Sequence, residues 1–423
     1  MRDAFRRSIE DRTKALVDLT VDLVRFPTVN PPGDAYRPCA EFIARRLQTS
    51  GFECRYFVAE GEPGHTDKYP RVNVVGRREG TRPGPTIHFN SHIDVVEPGH
   101  GWTYPPFDGV VSDGKIYGRG TSDMKGGLAT SIIAAEAFLA VFPDYPGAIE
   151  ISGTVDEESG GYAGVGYLAK QGLFSKPRVD HVIIPEPLNK DRICLGHRGV
   201  WWAEIETHGH IAHGSMPFLG DCAVRHMGAV MEAFERDLFP ALDKKQTDMP
   251  VVPEGARRST LNFNSIHGGQ TNEHSGLPSP NVADSCKLTI DRRFLLEEDL
   301  SEVKAEVATI LGRLKRERPK FDYSMRDIME VLPTMTRRDA PVVQAVEAAI
   351  RDEFGKEPDF VISPGTYDQK HIARLGHLHD CIAYGPGILD LAHQPDEWIA
   401  IEDMVQSANV MANAMHALLT ARQ

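Results

Sequence analysis

The chain carries imidazole and carboxylate groups at spacings that suit a hydrolytic metal centre. His92 and Asp94 are two residues apart in Phe89-Asn90-Ser91-His92-Ile93-Asp94-Val95-Val96. Asp123 follows in Gly118-Arg119-Gly120-Thr121-Ser122-Asp123-Met124-Lys125, 31 residues after the histidine. Asp156-Glu157-Glu158, Pro185-Glu186-Pro187 and Ala392-His393 come later. Neutral imidazole nitrogens and carboxylate oxygens hold zinc and related first-row cations, which polarise carbonyls and make water more acidic. Taken alone, a His-x-Asp pair is as well explained by a surface pair, and Glu157-Glu158 by an exposed acidic turn. Five ligand-type residues, each at the end of an apolar run or in a glycine-rich turn, make a metal site the stronger reading.

The elements that must position these groups read as α/β. Ile9, Leu16, Leu19 and Leu23 lie at helical spacing and predict a helix over about 7–26, stopped by Pro27 and then Pro31-Pro32-Gly33. A second helix is predicted over 36–50, before Gly51. Strand-like runs occupy 54–58, 72–75, 86–90, 148–154 and 181–185, and Asp113-Gly114 predicts a hairpin within 110–117. The alanine-rich stretch 126–142 reads as a buried helix. Strands alternating with helices indicate an α/β sheet, in which catalytic groups gather just past strand ends. His92, Glu157 and Glu186 fall there.

Near His197 the pattern changes. Strands at 201–207, 260–267 and 285–294 and helices at 223–242 and 300–318 predict a strand–helix–strand–strand–helix–strand insertion. The α/β pattern resumes with a helix at 341–354 and a strand at 381–384, while 248–258 and 271–281 read as loops. The expected architecture is a catalytic domain of residues 1–196 and 335–423, a mixed sheet with helices on both faces. Residues 197–334 are expected to form an inserted α+β domain.

Bulk properties narrow the partners. A net charge of −13 disfavours a nucleic-acid backbone. The start, Met1-Arg2-Asp3-Ala4-Phe5-Arg6-Arg7, is too charged for a signal peptide, and no apolar run reaches membrane-spanning length. Six scattered cysteines without a CxxC read as reduced thiols of a cytoplasmic protein.

With these residues in view, the chain resembles the dinuclear metallohydrolase family of acetylornithine deacetylase, succinyl-diaminopimelate desuccinylase, aminoacylase and carboxypeptidase G. The likeness runs through the strand-end His-x-Asp, the Gly-Arg-Gly-x-x-Asp-Met-Lys-Gly turn, the Asp-Glu-Glu, the glutamate after a buried strand, and Tyr-Gly-Pro-Gly followed by Ala-His-x-Pro-Asp-Glu. It implies two divalent cations per chain, zinc first and manganese or cobalt as alternatives. His92 and Glu186 would bind one metal, Glu158 and His393 the other, and Asp123 would bridge both. Asp94 would accept a hydrogen bond from the second ring nitrogen of His92, fixing its tautomer. Glu157 would be the general base acting on a water between the metals, and the Asp123–Met124 peptide would be cis.

The resemblance also implies that the insertion is a ferredoxin-like lid and dimerisation domain, and that the protein is a homodimer in which His213 reaches the partner's active site and stabilises the oxyanion. Arg293, in Ile290-Asp291-Arg292-Arg293-Phe294, would clamp a substrate carboxylate, and Arg292 would face the other side of the strand. The family asparagine is displaced here, so Asn272 and Asn281 compete for its substrate-binding place across the loop 273–280. Gly385 and Gly387 would form a backbone wall beside the substrate; Tyr367-Asp368-Gln369-Lys370, in the C-terminal return, is a pocket-loop candidate to which the resemblance assigns no role.

The implied activity is hydrolysis of a C–N bond, foremost deacylation of an N-acyl amino acid or short carboxylate-bearing amide. An alternative within the family is an aminohydrolase releasing ammonia from an activated aromatic amine such as 5-nitroanthranilate. A non-catalytic binding protein on the same fold is disfavoured, because all five ligands and Glu157 are present.

Overall fold

In the computed structural model, which describes residues 1–269 and 280–421, the strand Arg82–His92 is buried from Pro85 to His92. A strand covered on both faces belongs at the centre of a sheet. It pairs in parallel with Pro146–Thr154 on one side and His181–Ile184 on the other. The central order of this nine-stranded mixed sheet is Glu53–Val58, Val72–Glu79, Pro146–Thr154, Arg82–His92, His181–Ile184, Cys381–Ala383, Arg192–His197. Alternation along Arg82–His92 places His88, Asn90 and His92 on one face. That buried polar row is satisfied internally. His88 lies 2.9 Å from Glu150 and 2.8 Å from Ser152 Oγ, which donates to Asn90 Oδ1 at 2.8 Å. Arg77 and Arg178 donate to Glu150 at 2.9 and 2.6 Å.

The helix Gly126–Val141 is apolar on all sides and is packed by the helices Arg2–Glu10, Thr13–Val24 and Ile401–Thr420. Here two expectations are corrected. The segment Thr121–Val141 is long and apolar enough to cross a membrane by length and composition, but 83% of its apolar window is buried within the protein. The N-terminal helix is two helices, because the chain breaks at Asp11-Arg12, where the Arg12 guanidinium donates to the Ser8 carbonyl at 2.7 Å.

The chain divides into two units, Met1–Gly196 with Met335–Val361 and Tyr367–Gln423, and His197–Thr334 with Ile362–Thr366. The second has an antiparallel sheet ordered Thr260–Gly268, Ser285–Phe294, Gly199–His208, Asp322–Val331, the ferredoxin-like arrangement. Its core gathers Trp201, Phe234, Leu288, Ile290, Val303 and Leu311. The helix Leu300–Glu317 starts on an Asp299 cap that accepts from the Ser301 N–H at 2.8 Å. The helix from Ala223 widens at Phe234–Leu238 before Phe239–Leu242, since Pro240 cannot donate to the turn behind it.

Gly127 ties this framework to the chemistry. A Cβ there would lie 2.1 Å from the carbonyl oxygen of Pro185, beside Glu186. Gly127→Ala is therefore expected to destabilise the protein by about 1–3 kcal/mol, as other overpacked sites do. The check is a lower urea midpoint at unchanged slope.

Candidate metal centre

Three strand ends converge on one place. His92 closes its strand, Glu157 and Glu158 follow Thr154 within a few residues, and Glu186 lies two past Ile184. The glycine-rich turn before Gly126 brings Asp123 between them, and its peptide to Met124 is cis. His92, Asp123 and Glu186 offer one group of ligand atoms, and Asp123, Glu158 and His393 a second, all within 4.8 Å of one another in each group. Asp123 is common to both. Its Oδ1 lies 3.0 Å from His92 Nε2, and its Oδ2 lies 3.6 Å from His393 Nε2. His393 Nε2 is 3.1 Å from Glu158, and His92 Nε2 is 4.0 Å from Glu186. The five predicted ligands thus come together as two triads sharing one carboxylate.

The electrostatics of the triads fit a cation pair. His92 Nδ1 sits 2.9 Å from the Asp94 carbonyl, which can only accept, so Nδ1 carries the proton. The neutral ring would then aim its Nε2 lone pair at Asp123 and Glu186. That is unfavourable unless a proton or a metal lies between. Without metal, burial opposes charge on His92, but the hydrogen bond to Asp123 and the charge of Glu186 hold its pKa well above the usual imidazole value. Hydrogen bonds to Asp123 and Glu158 push His393 up to about 10. Burial, and then the Asp123 charge, raise Glu158 to about 7 and lift Glu186 well above the carboxylate range. Burial works against Asp123 as well, but hydrogen bonds from His393 and His92 hold it far below its ordinary value. Three converging carboxylates and two imidazoles form a mixed N/O donor set suited to first-row divalent metals.

One expectation changes. The N–H of His92 meets the backbone carbonyl of Asp94, while the nearer carboxylate oxygen is 3.6 Å away. The Asp94 carboxylate is engaged elsewhere, accepting the backbone N–H groups of Glu157 at 3.2 Å and Glu158 at 3.1 Å and the Asn30 amide at 3.0 Å. Asp94 therefore orients the ring through its backbone and the Glu157–Glu158 turn through its side chain. Burial raises it to about 6.

Other residues, unassigned in the sequence, secure the site. Glu397 is fully buried and accepts from the N–H groups of Gly120 (3.0 Å), Ser122 (2.8 Å) and Asp123 (3.0 Å) and from Arg119 (2.7 Å). Arg119 also donates to the His393 carbonyl at 3.2 Å, so one buried ion pair joins the Asp123 turn to the His393 loop. Asp156, at φ +62, is held by Arg71 at 2.9 Å and the Tyr36 hydroxyl at 2.8 Å. Lys370 donates to Glu157 at 3.3 Å, and Asp368, raised to about 7 by burial and then by Glu157, accepts from Asn90 at 3.1 Å. Glu397 and Asp156 stood inside quoted motifs, and Lys370 inside the segment read as a pocket loop. Their signal was present in the sequence, but their partners were not.

Gly385 and Gly387 press against the ligand-bearing segments. A Cβ on Gly385 would lie 2.4 Å from the Pro185 carbonyl oxygen and 2.6 Å from that of Glu186, and one on Gly387 would lie 2.6 Å from that of Ser122. His213 and Arg293 belong to the second unit. His213 is exposed, forms an isolated bridge with Asn281, and accepts at Nδ1 from the Ser215 N–H at 3.2 Å. Arg293 forks onto Asp291 at 2.7 and 3.0 Å, whereas Arg292 is wholly buried against Glu298 and Glu306 at 2.7 and 3.3 Å. Asn272 and the loop 273–279 lie outside the described residues.

Fold and donor set together define a two-domain metallohydrolase with a centre for two metals. The profile of Peptidase family M20/M25/M40 matches residues 88–417, and the chain belongs to this family. It is 27% identical over 410 residues to the succinyl-diaminopimelate desuccinylase of Psychrobacter arcticus, covering 95% of this chain and 94% of that one. Its fold is similar to human carnosine dipeptidase 1, with TM-score 0.77, 19% identity and 99% of each chain covered. It is also similar to the Bacillus subtilis YXEP protein, described as a dinuclear metal-binding peptidase, with TM-score 0.66, 15% identity and coverage of 97% and 100%. The protein is a metal-dependent hydrolase of C–N bonds in acyl or peptide amides. None of these relatives supports the aromatic aminohydrolase alternative.

Two outcomes follow from this geometry. Glu397→Ala strands the buried Arg119 guanidinium and three N–H groups, with an expected cost of about 3–5 kcal/mol, checked by chemical denaturation. Metal binding must also displace protons from His92, His393 and Glu158. At pH 7 it is expected to release protons, and affinity should weaken as pH falls through about 7, where Glu158 gains its proton. Calorimetry in two buffers of different ionisation enthalpy measures that release.

Proposed function

We propose that the protein is a dinuclear deacylase, acting on an N-acyl amino acid or a short amide that carries a free carboxylate. The observation that carries this reading is the pair of triads sharing Asp123, with a further glutamate, Glu157, placed beside them and outside both. His92, Asp123 and Glu186 would hold one cation, and Asp123, Glu158 and His393 the other, with zinc as the resident metal and manganese or cobalt as substitutes. When bound, the cations supply Lewis acidity for the amide carbonyl and increase the acidity of water.

The chain's own residues do the rest. Glu157, half-buried and outside both ligand groups, takes the proton of the attacking water and delivers it to the leaving nitrogen. His213, supplied by a second copy of the chain, donates to the developing oxyanion. Its tautomer supports this role: the Ser215 N–H occupies Nδ1, so the neutral ring carries its proton on Nε2. Arg293 receives the substrate carboxylate with a planar fork that Asp291 holds in orientation. The desuccinylase relative supports an acyl group that is itself acidic.

A panel of N-succinyl and N-acetyl amino acids and dipeptides, assayed for released amine with zinc-loaded protein, tests the reading. Turnover is expected on at least one succinyl or acetyl substrate. Glu157→Ala should lower kcat by roughly 100- to 10,000-fold while metal stoichiometry is unchanged. A fully loaded protein inert towards the whole panel, or a Glu157→Ala variant of normal activity, would overturn it.

A further inference from the structure

Glu157 and Glu158 are neighbours on one tight turn, yet the proposed function gives them opposite work. One binds metal and the other must stay unbound to move a proton. Two divalent cations attract both carboxylates alike, so adjacency alone does not keep them apart. The structure holds a counterweight. Lys370 Nζ lies 3.3 Å from Glu157 Oε1, and the two side chains are only 5% and 11% exposed. A buried lysine is rare unless paired, and here the paired residue is the glutamate outside both ligand groups.

The lysine is rigidly delivered. It sits in the first turn of the short helix Gln369–Arg374. Gln369 anchors that turn to the Cys381 carbonyl at 2.8 Å and to Thr336 Oγ1 at 3.0 Å. His371 Nε2 bonds the Gly160 carbonyl at 2.7 Å, bolting the helix to the turn that carries both glutamates. Gly161, at φ +74, admits this contact, since a Cβ there would meet Asp368 Oδ1 at 2.7 Å. Asp368, only 1% exposed, lies close enough to feel the charges of both Lys370 and Glu157.

We propose that Lys370 is a positioning residue whose ammonium tethers Glu157 and keeps that carboxylate out of the metals' coordination. This rests on Glu157 being the base, but its consequence for metal binding can be measured without turnover. Zinc affinity by chelator competition and zinc coordination by X-ray absorption are compared for the full-length protein and for Lys370→Met, Lys370→Arg, Glu157→Gln and Lys370→Met/Glu157→Gln. In Lys370→Met, Glu157 swings onto zinc. Affinity then rises by about tenfold, the equivalent of ~1.4 kcal/mol from the added ligand, one oxygen joins the coordination shell, and kcat on the best panel substrate falls by about 100-fold with KM little changed. In the Glu157→Gln background the same lysine change leaves affinity and coordination as they were, because the amide is a poor ligand; the cycle thereby separates ligation from bulk charge. Lys370→Arg restores most of kcat. Lys370→Gln replaces the methionine variant if circular dichroism shows that variant unfolded. An affinity gain equal in both backgrounds, or a Lys370→Met protein of unchanged kcat, overturns the proposal. An inactive wild type with the affinity pattern intact overturns only the functional reading.

Discussion

The rest of the structure answers to an excess of buried negative charge. Asp94, Asp123, Glu157, Glu158, Glu186 and Asp368 are all buried or nearly so in one region, and the cations beside them are His92, His393 and Lys370. A carboxylate without compensation in a low-dielectric interior is costly. Asp94 is satisfied by two backbone N–H groups and an amide, and Glu397, farther back, by three N–H groups and Arg119. Among the described residues, the side chains of Asp123, Glu158 and Glu186 have only imidazoles as cationic neighbours, and burial raises two of them in the metal-free protein. A pair of dications resolves this imbalance in a way that two protonated histidines cannot.

That concentration of charge is held by the backbone as much as by side chains. Three of the segments turn through left-handed conformations, at Gly120 (φ +84), Asp156 (φ +62) and His393 (φ +64). A left-handed aspartate or histidine is uncommon and persists only where the surroundings hold it. Asp156 has its ion pair with Arg71, and the His393 loop has Arg119 gripping its carbonyl. The fully buried Arg119–Glu397 pair is thus a structural joint between the Asp123 turn and the His393 loop. Its weight comes from what it connects, since buried ion pairs in general add little net stability.

Much of this was legible in the sequence, and the limits have physical causes. Periodicity placed the helices Pro341–Phe354 and Leu300–Glu317, because their apolar faces keep one period from end to end. It missed the break at Asp11-Arg12, where no proline or glycine marks the chain. The metal ligands could be read because each carries its chemistry in its own side chain. Their supports could not: Glu397 meets Gly120 across 277 residues and Lys370 meets Glu157 across 213, and only the folded topology brings them together. Asp94 is the clearest case. Its carboxylate serves the N–H groups of Glu157 and Glu158, and backbone donors leave no mark in the residue pattern.

In the second unit, two adjacent arginines show how alternation divides labour. On the strand Ser285–Phe294 adjacent residues face opposite sides. Arg292 is consumed inside by Glu298 and Glu306 and steadies the core. Arg293, facing the other way, already grips Asp291, two residues earlier on its own face. In its proposed role, a substrate carboxylate exchanges with or shares that fork, so the gain is the difference between two similar ion pairs and not the full attraction of one. Strong binding of any anion is thereby suppressed, and preference falls to ligands whose second contact adds to the first.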